Sequence, residues 1–234
     1  MKFTRTGIFL CGFLFLMAPL PGAAAQPGVS PSSCAVLIDP AHGGDDKGVK
    51  VSSKGVEKDI TLAVALALKK QLEESDKKNA VCLTRTEDIS VSLEERIRMA
   101  EQWKPRVMIS LHVNGGFGTE ASGYEITFPS QQNDDARKKK GQGHIVKDME
   151  KTKHVNNSIR LAQLAQKNLE TVFPRKGRGV REVSVPLLSV LHAPSICVEL
   201  AFLTNETDRD KILSAKTQKA VVQALAKGIR EYLK

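Results

Sequence analysis

The stretch VLIDPAHGGDD, residues 36–46, decides how the chain is read. Val36, Leu37 and Ile38 form a short apolar run of the kind that makes a buried strand. The run ends at Asp39-Pro40, and His42 follows inside a loop of small residues. An imidazole placed where a buried strand emerges gains meaning only if other segments bring partners to the same place.

Working outward, strand and helix signals alternate. EKDITLAVALALKKQLEES (57–75) carries Ile60, Ala63, Val64, Ala67, Leu68 and Leu72 at helical spacing, which predicts an amphipathic helix with those residues inward. AVCLTR (80–85) reads as a strand. Ser92 and Glu95 make a capping-box pattern opening a helix over 92–104, with Leu93, Ile97 and Ala100 on one face. VMISLHV (107–113) is a third strand, ended by Gly115-Gly116, and GYEITF (123–128) alternates as a half-buried strand does. Helix returns at 157–173, PRKGRG reads as a basic turn, SICVEL (195–200) as a strand, and two helical segments finish the chain. Such alternation predicts a single α/β domain, a mostly parallel twisted sheet with helices on both faces.

Residues 1–25 are set aside from the fold. Lys2 and Arg5 precede an apolar run, and Ala23-Ala24-Ala25 offers a small-residue cleavage pattern, the layout of a secretory signal peptide. Gly12, Pro19 and Pro21 interrupt the run, which falls short of the ~20 residues of a membrane span. Residues 26–33 read as a short linker and 34–234 as the domain. The formal charge of +9 falls to +7 without the signal, which suits an exported protein meeting acidic polymers in the periplasm or outside the cell. With one Trp and two Tyr, and no basic stripe interleaved with stacking residues, the composition argues against nucleic acid. Cys34, Cys82 and Cys197 form no CxxC pair and are odd in number, so they read as buried free thiols, with a Cys34–Cys82 bridge the competing reading.

In an open parallel sheet, ligands collect beyond the carboxyl ends of the strands. His42 follows the first strand, Glu57 opens the next helix, His112 sits at the end of the third strand and Glu199 at the end of a later one. Two histidines and a carboxylate with an open fourth position make the ligand set of a hydrolytic zinc site. A carboxylate that is not a ligand, for which Glu199 in the apolar run ICVELAF fits, is then needed to move the proton of the attacking water. Each residue also has a plainer reading: His42 bonding a loop backbone, Glu57 an acid at a helix start, His112 a satisfied core histidine. Glu199 resists the plain reading most, since burying a carboxylate without a partner is costly. AHGGDDKG lacks the Gly-Lys-Ser/Thr ending of a phosphate loop.

These residues carry a family resemblance. LIDPAHGG, EKDITLAVALALKKQL, LTRTED, SLEERIRMA, ISLHVN and VELAFLTN, in this order, resemble the zinc-dependent N-acetylmuramoyl-L-alanine amidases of the cell-wall hydrolase type. The resemblance spans about 34–234. It implies a phosphorylase/hydrolase-like α/β fold, one zinc per chain on His42, Glu57 and His112, and a catalytic Glu199. It also implies cleavage of the amide joining muramic acid to the first L-alanine of the peptidoglycan stem. Ala41 stands where the family usually has Gly, so the backbone before His42 is expected to avoid a glycine-only angle. Val113 replaces a smaller residue, and Ala100-Glu101 stands where members often read Ala-Asn.

Asn114 and His192 are candidates for lining the groove, against the plainer readings of a turn Asn and a surface His. The charged segment 131–157 reads as a solvated, mobile loop; the competing reading is a lid or wall-binding arm in which Glu150 masks the metal. Another zinc peptidase or a non-catalytic wall-binding module remain the rival functions, and an activator protein is left open.

Overall fold

The computed structural model describes residues 34–51, 55–130, 142–189, 191 and 193–234. The expected signal peptide and linker lie outside the described residues, as do 131–141 and His192. No helix among the described residues is long and apolar enough to cross a membrane.

The elements run β1 (Cys34–Pro40), α1 (Glu57–Ser75), β2 (Ala80–Leu83), α2 (Leu93–Trp103), β3 (Val107–Asn114) and β4 (Tyr124–Pro129). They continue with α3 (Gln142–Leu169), β5 (Gly177–Val183), α4 (Pro186–Ser189), β6 (Ser195–Phe202), α5 (Glu206–Leu213) and α6 (Ala215–Leu233). One six-stranded sheet results, in the order β2-β1-β3-β6-β4-β5. β2, β1, β3 and β6 are mutually parallel; β4 turns antiparallel to β6 and carries β5 parallel to itself. The expected single α/β domain with a mostly parallel sheet is what the chain forms.

Successive side chains of a strand face opposite sides of the sheet. On one side Val36, Ile38, Ile109, Leu111, Val113, Ile126 and Val198 meet α1, α3 and α6 in the large core. On the other side Leu37 and Met108 meet a smaller cluster with Ala100 of α2 and Leu187 of α4. This second side is thinly covered and also takes the polar strand residues. The ladder sets Asp39 beside Ser110, Ser110 beside Cys197, and Cys197 beside Thr127. One step nearer the rim, His112 stands beside Glu199 and Glu199 beside Glu125.

Several expectations are corrected. In α1, Thr61 and Ala65 are buried where Ala63 and Ala67 face solvent, a shift of the apolar face around the helix. The α2 capping box forms with both reciprocal bonds, but Leu93 is exposed and Arg96 is buried in its place. Residues 142–157 are not a loop: they are the first half of the 28-residue helix α3. Their low apolar content hides the helix from a periodicity reading; among the described side chains of α3, the buried apolar ones start at Val155 and Leu161. The basic turn is largely a strand, β5, whose mostly exposed residues carry no apolar alternation. Cys34 and Cys82 are not free thiols but a disulfide joining the adjacent strands β1 and β2, whose Cα atoms lie 5.8 Å apart. Cys197 is a buried free thiol as expected.

Candidate active site

Three side chains from three elements converge at the carboxyl rim of the sheet. The Nε2 atom of His42 lies 3.1 Å from Oε2 of Glu57, and the Nδ1 atom of His112 lies 3.1 Å from the other oxygen, Oε1. Ligand atoms of the three residues all lie within 4.8 Å of one another. Glu57, 3 % exposed, is anchored by the backbone N–H groups of Val49 (2.9 Å) and Val113 (3.0 Å), which donate to its two oxygens. Burial alone would raise its pKa, but the hydrogen bonds with His112 and His42 outweigh that and hold it at about 2. It is therefore an anion that two imidazoles face.

His42 is positioned by its own loop. It adopts φ 61°, in the left-handed region unusual for a non-glycine residue. Ala41 is not among the positive-φ residues, so the backbone does avoid a glycine-only angle at that departure from the family pattern. Asp46 receives the His42 Nδ1–H at 2.8 Å, which orients the ring so that Nε2 is the nitrogen facing Glu57. The Glu57 hydrogen bond leads the causes that raise the His42 pKa to about 9, against the opposing effect of burial. His112 is likewise raised by Glu57, against burial.

Two buried arginines grip the same loop. Arg85 donates to the carbonyls of Pro40 (3.0 Å), Ala41 (3.0 Å) and Lys58 (2.8 Å). Arg96 donates to the carbonyls of Pro40 (3.1 Å) and His42 (2.8 Å) and ion-pairs with buried Asp39. Asp39 also accepts from Thr84 (2.6 Å) and Ser110 (2.9 Å). Arg96→Ala leaves the Asp39 charge buried without its counter-ion and frees the His42 carbonyl, and is expected to cost about 3–5 kcal/mol of stability. A urea midpoint within error of the parent would contradict that role.

Glu199 completes the cluster. It pairs with His112 in the ladder, and its Oε2 atom is buried with no hydrogen-bond partner among the described residues. Burial pushes its carboxyl up to about 7, only partly countered by His112. A carboxyl whose folded pKa lies above its unfolded value contributes fully at low pH and loses that contribution as pH rises from 4.5 through about 7. In metal-free protein, Glu199→Gln should therefore match the parent near pH ~4 and exceed it near pH ~8 by about 3 kcal/mol. Urea denaturation in chelator at the two pH values reads this; equal differences at both would contradict it.

The donor set suits a divalent ion. Two neutral-capable imidazoles and a carboxylate are zinc ligands, and the space beside them is protected. A Cβ at Gly48 would sit 2.4 Å from Glu57 Oε2 and 2.8 Å from His42 Nε2, so only glycine leaves that approach open.

Of the other expected site residues, Asn114 ends β3 at the rim, where its carbonyl accepts from Leu203 at 2.9 Å. Glu150 is exposed on α3, one turn before His154. His154 lines a cleft with Pro105 and Pro194 at the amino ends of β3 and β6. That cleft lies at the opposite end of the sheet from His42, Glu57 and His112. Sequence reading missed Asp46, Gly48, Arg85 and Arg96, whose only signals were their places in LTRTED, SLEERIRMA and the loop after β1.

A mostly parallel sheet thus gathers two histidines and two glutamates at one rim, and comparison with known proteins places the chain in a family. The chain belongs to the N-acetylmuramoyl-L-alanine amidase family, whose model matches residues 36–231. Among relatives, the Uncharacterized protein YqiI of Bacillus subtilis is 32 % identical over 99 % of this chain and 98 % of its own length. The N-acetylmuramoyl-L-alanine amidase AmiC of Escherichia coli O6:H1 is 25 % identical over 92 % of this chain, which spans only 55 % of that relative. Among solved structures, an N-acetylmuramoyl-L-alanine amidase from Clostridium difficile 630 superposes with TM-score 0.71 at 29 % identity, covering 86 % of this chain and 97 % of that one. The catalytic domain of CwlV from Bacillus (Paenibacillus) polymyxa gives 0.70 at 26 % identity, over 86 % and 98 % of the two chains.

Proposed function

We propose that this chain hydrolyses the amide between N-acetylmuramic acid and L-alanine in peptidoglycan, using one zinc ion held by His42, Glu57 and His112. Zinc in that position would supply a Lewis acid and lower the pKa of water to about 7. Glu199 takes a proton from the attacking water and returns it to the departing alanine nitrogen. Its raised pKa suits both halves of that transfer near neutral pH. Asp46 and Glu57 hold the imidazoles in orientation, and the loop carbonyls gripped by Arg85 and Arg96 keep His42 in its left-handed conformation. The observation that carries the reading is the unpartnered buried oxygen of Glu199 beside a convergent His-Glu-His set. Family membership supports the bond cleaved.

In this reading residues 1–25 direct export, and the protein acts in the periplasm or outside the cell during wall remodelling or daughter-cell separation. Incubating zinc-loaded protein with purified sacculi tests it. Stem peptides free of sugar, with L-alanine at the new amino end, are expected. Release of single amino acids would identify an exopeptidase instead, and binding without any product a wall-binding module.

A further inference from the structure

We propose that Arg178 and Arg181 of β5 form a subsite for a free carboxylate on the stem peptide, and so set which stems the enzyme prefers. The inference rests on the amide-hydrolysis reading and adds to it what is recognised beyond the scissile bond. The polar row that contains His112 and Glu199 continues through Glu125 of β4. Glu125 in turn meets both arginines: Nε of Arg181 lies 3.0 Å from one of its oxygens, and Nε of Arg178 lies 3.8 Å from the other. Arg178 also lies over Phe202, its guanidinium carbon 5.0 Å from the ring centroid.

The 3.0 Å contact holds the Arg181 guanidinium by its Nε side, and Arg178 stands at ion-pairing distance from the same carboxylate. Among the described residues, Arg181 makes beyond Glu125 only a long contact, Nη2 to the Arg178 carbonyl at 3.5 Å. The Nη1/Nη2 edge, the fork that fits a carboxylate with two parallel hydrogen bonds, is thus left for a ligand. Both side chains are solvent-accessible, at 37 % and 53 % exposure. Two positive charges against one Glu125 leave a local surplus of one, matched to a single carboxylate.

The reach agrees. Strands lie ~4.8 Å apart, so two steps from Glu199 through Glu125 to β5 span ~10 Å. An extended peptide advances ~3.4 Å per residue, so an acidic group two or three residues beyond the scissile amide arrives at the arginines. A neutral amide at that position cannot take two charge-assisted bonds and loses most of the gain.

The test compares muramoyl-peptide substrates that differ only in whether that carboxylate is free or amidated. The zinc-loaded parent is expected to favour the free acid in kcat/KM by about 10- to 100-fold. The double variant Arg178→Gln/Arg181→Gln should bring the ratio to near unity, by losing far more rate on the free acid than on the amidated substrate. Arg181→Lys, which keeps the charge without the fork, should recover part of the preference. Equal cleavage of both substrates by the parent, or an equal loss on both by the variant, overturns the subsite. Calorimetric binding of the free and amidated stem peptides separates the two readings. A free-acid preference without hydrolysis keeps the subsite and removes the amidase reading; hydrolysis without a preference does the reverse.

Discussion

Glu199→Gln is expected to leave zinc bound and the fold intact while reducing release of stem peptides by about 10²–10⁴-fold. The change keeps the shape of the side chain and removes only its ability to carry a proton. The buried, unpartnered Oε2 means that no structural hydrogen bond to that atom among the described residues is lost with the charge. Reduced kcat with unchanged metal content and a near-unchanged KM is the signature of a proton-transfer group. Wall hydrolysis at the parent rate would remove Glu199 from the chemistry and leave its burial without a purpose.

Glu57→Ala is expected to fail differently. Glu57 stands between the two imidazoles and is held by two backbone N–H groups. Its loss removes one of the three proposed ligands and also unties the backbone at Val49 and Val113. Even groups that merely orient a ligand are worth ~10–100-fold in metal affinity, so losing this one should weaken zinc by at least about 100-fold. Activity should disappear with the metal, in contrast to Glu199→Gln. Dialysis against buffered zinc, followed by metal analysis and an activity assay on the same sample, reads both. Full zinc occupancy in Glu57→Ala would place the ion elsewhere.

The two variants depend on features that differ in how openly the sequence carries them. Apolar runs such as VLID and ICVEL mark buried strands by composition, and their placement at the carboxyl rim follows from the parallel topology, so His42, Glu57, His112 and Glu199 could be gathered before any coordinates. What stayed hidden was polar. Arg96 occupies the helix face where periodicity puts Leu93, because burying an arginine is tolerable only against a partner such as Asp39, 57 residues away. Gly48 reads as an ordinary loop glycine until the ligand atoms facing it are located. β5 gives no apolar alternation, since its exposed edge residues follow charge rather than packing. The first half of α3 reads as loop because its sequence is rich in charge and poor in large apolar residues, so no helical period shows in it.

The catalytic roles proposed above presuppose that His42, Glu57 and His112 hold one zinc ion, and equilibrium dialysis of the folded protein against zinc measures that directly. The account predicts one ion per chain for the parent and none for His42→Ala/His112→Ala at the same free zinc. A parent that takes up no zinc, or a double variant that binds as much as the parent, would contradict it.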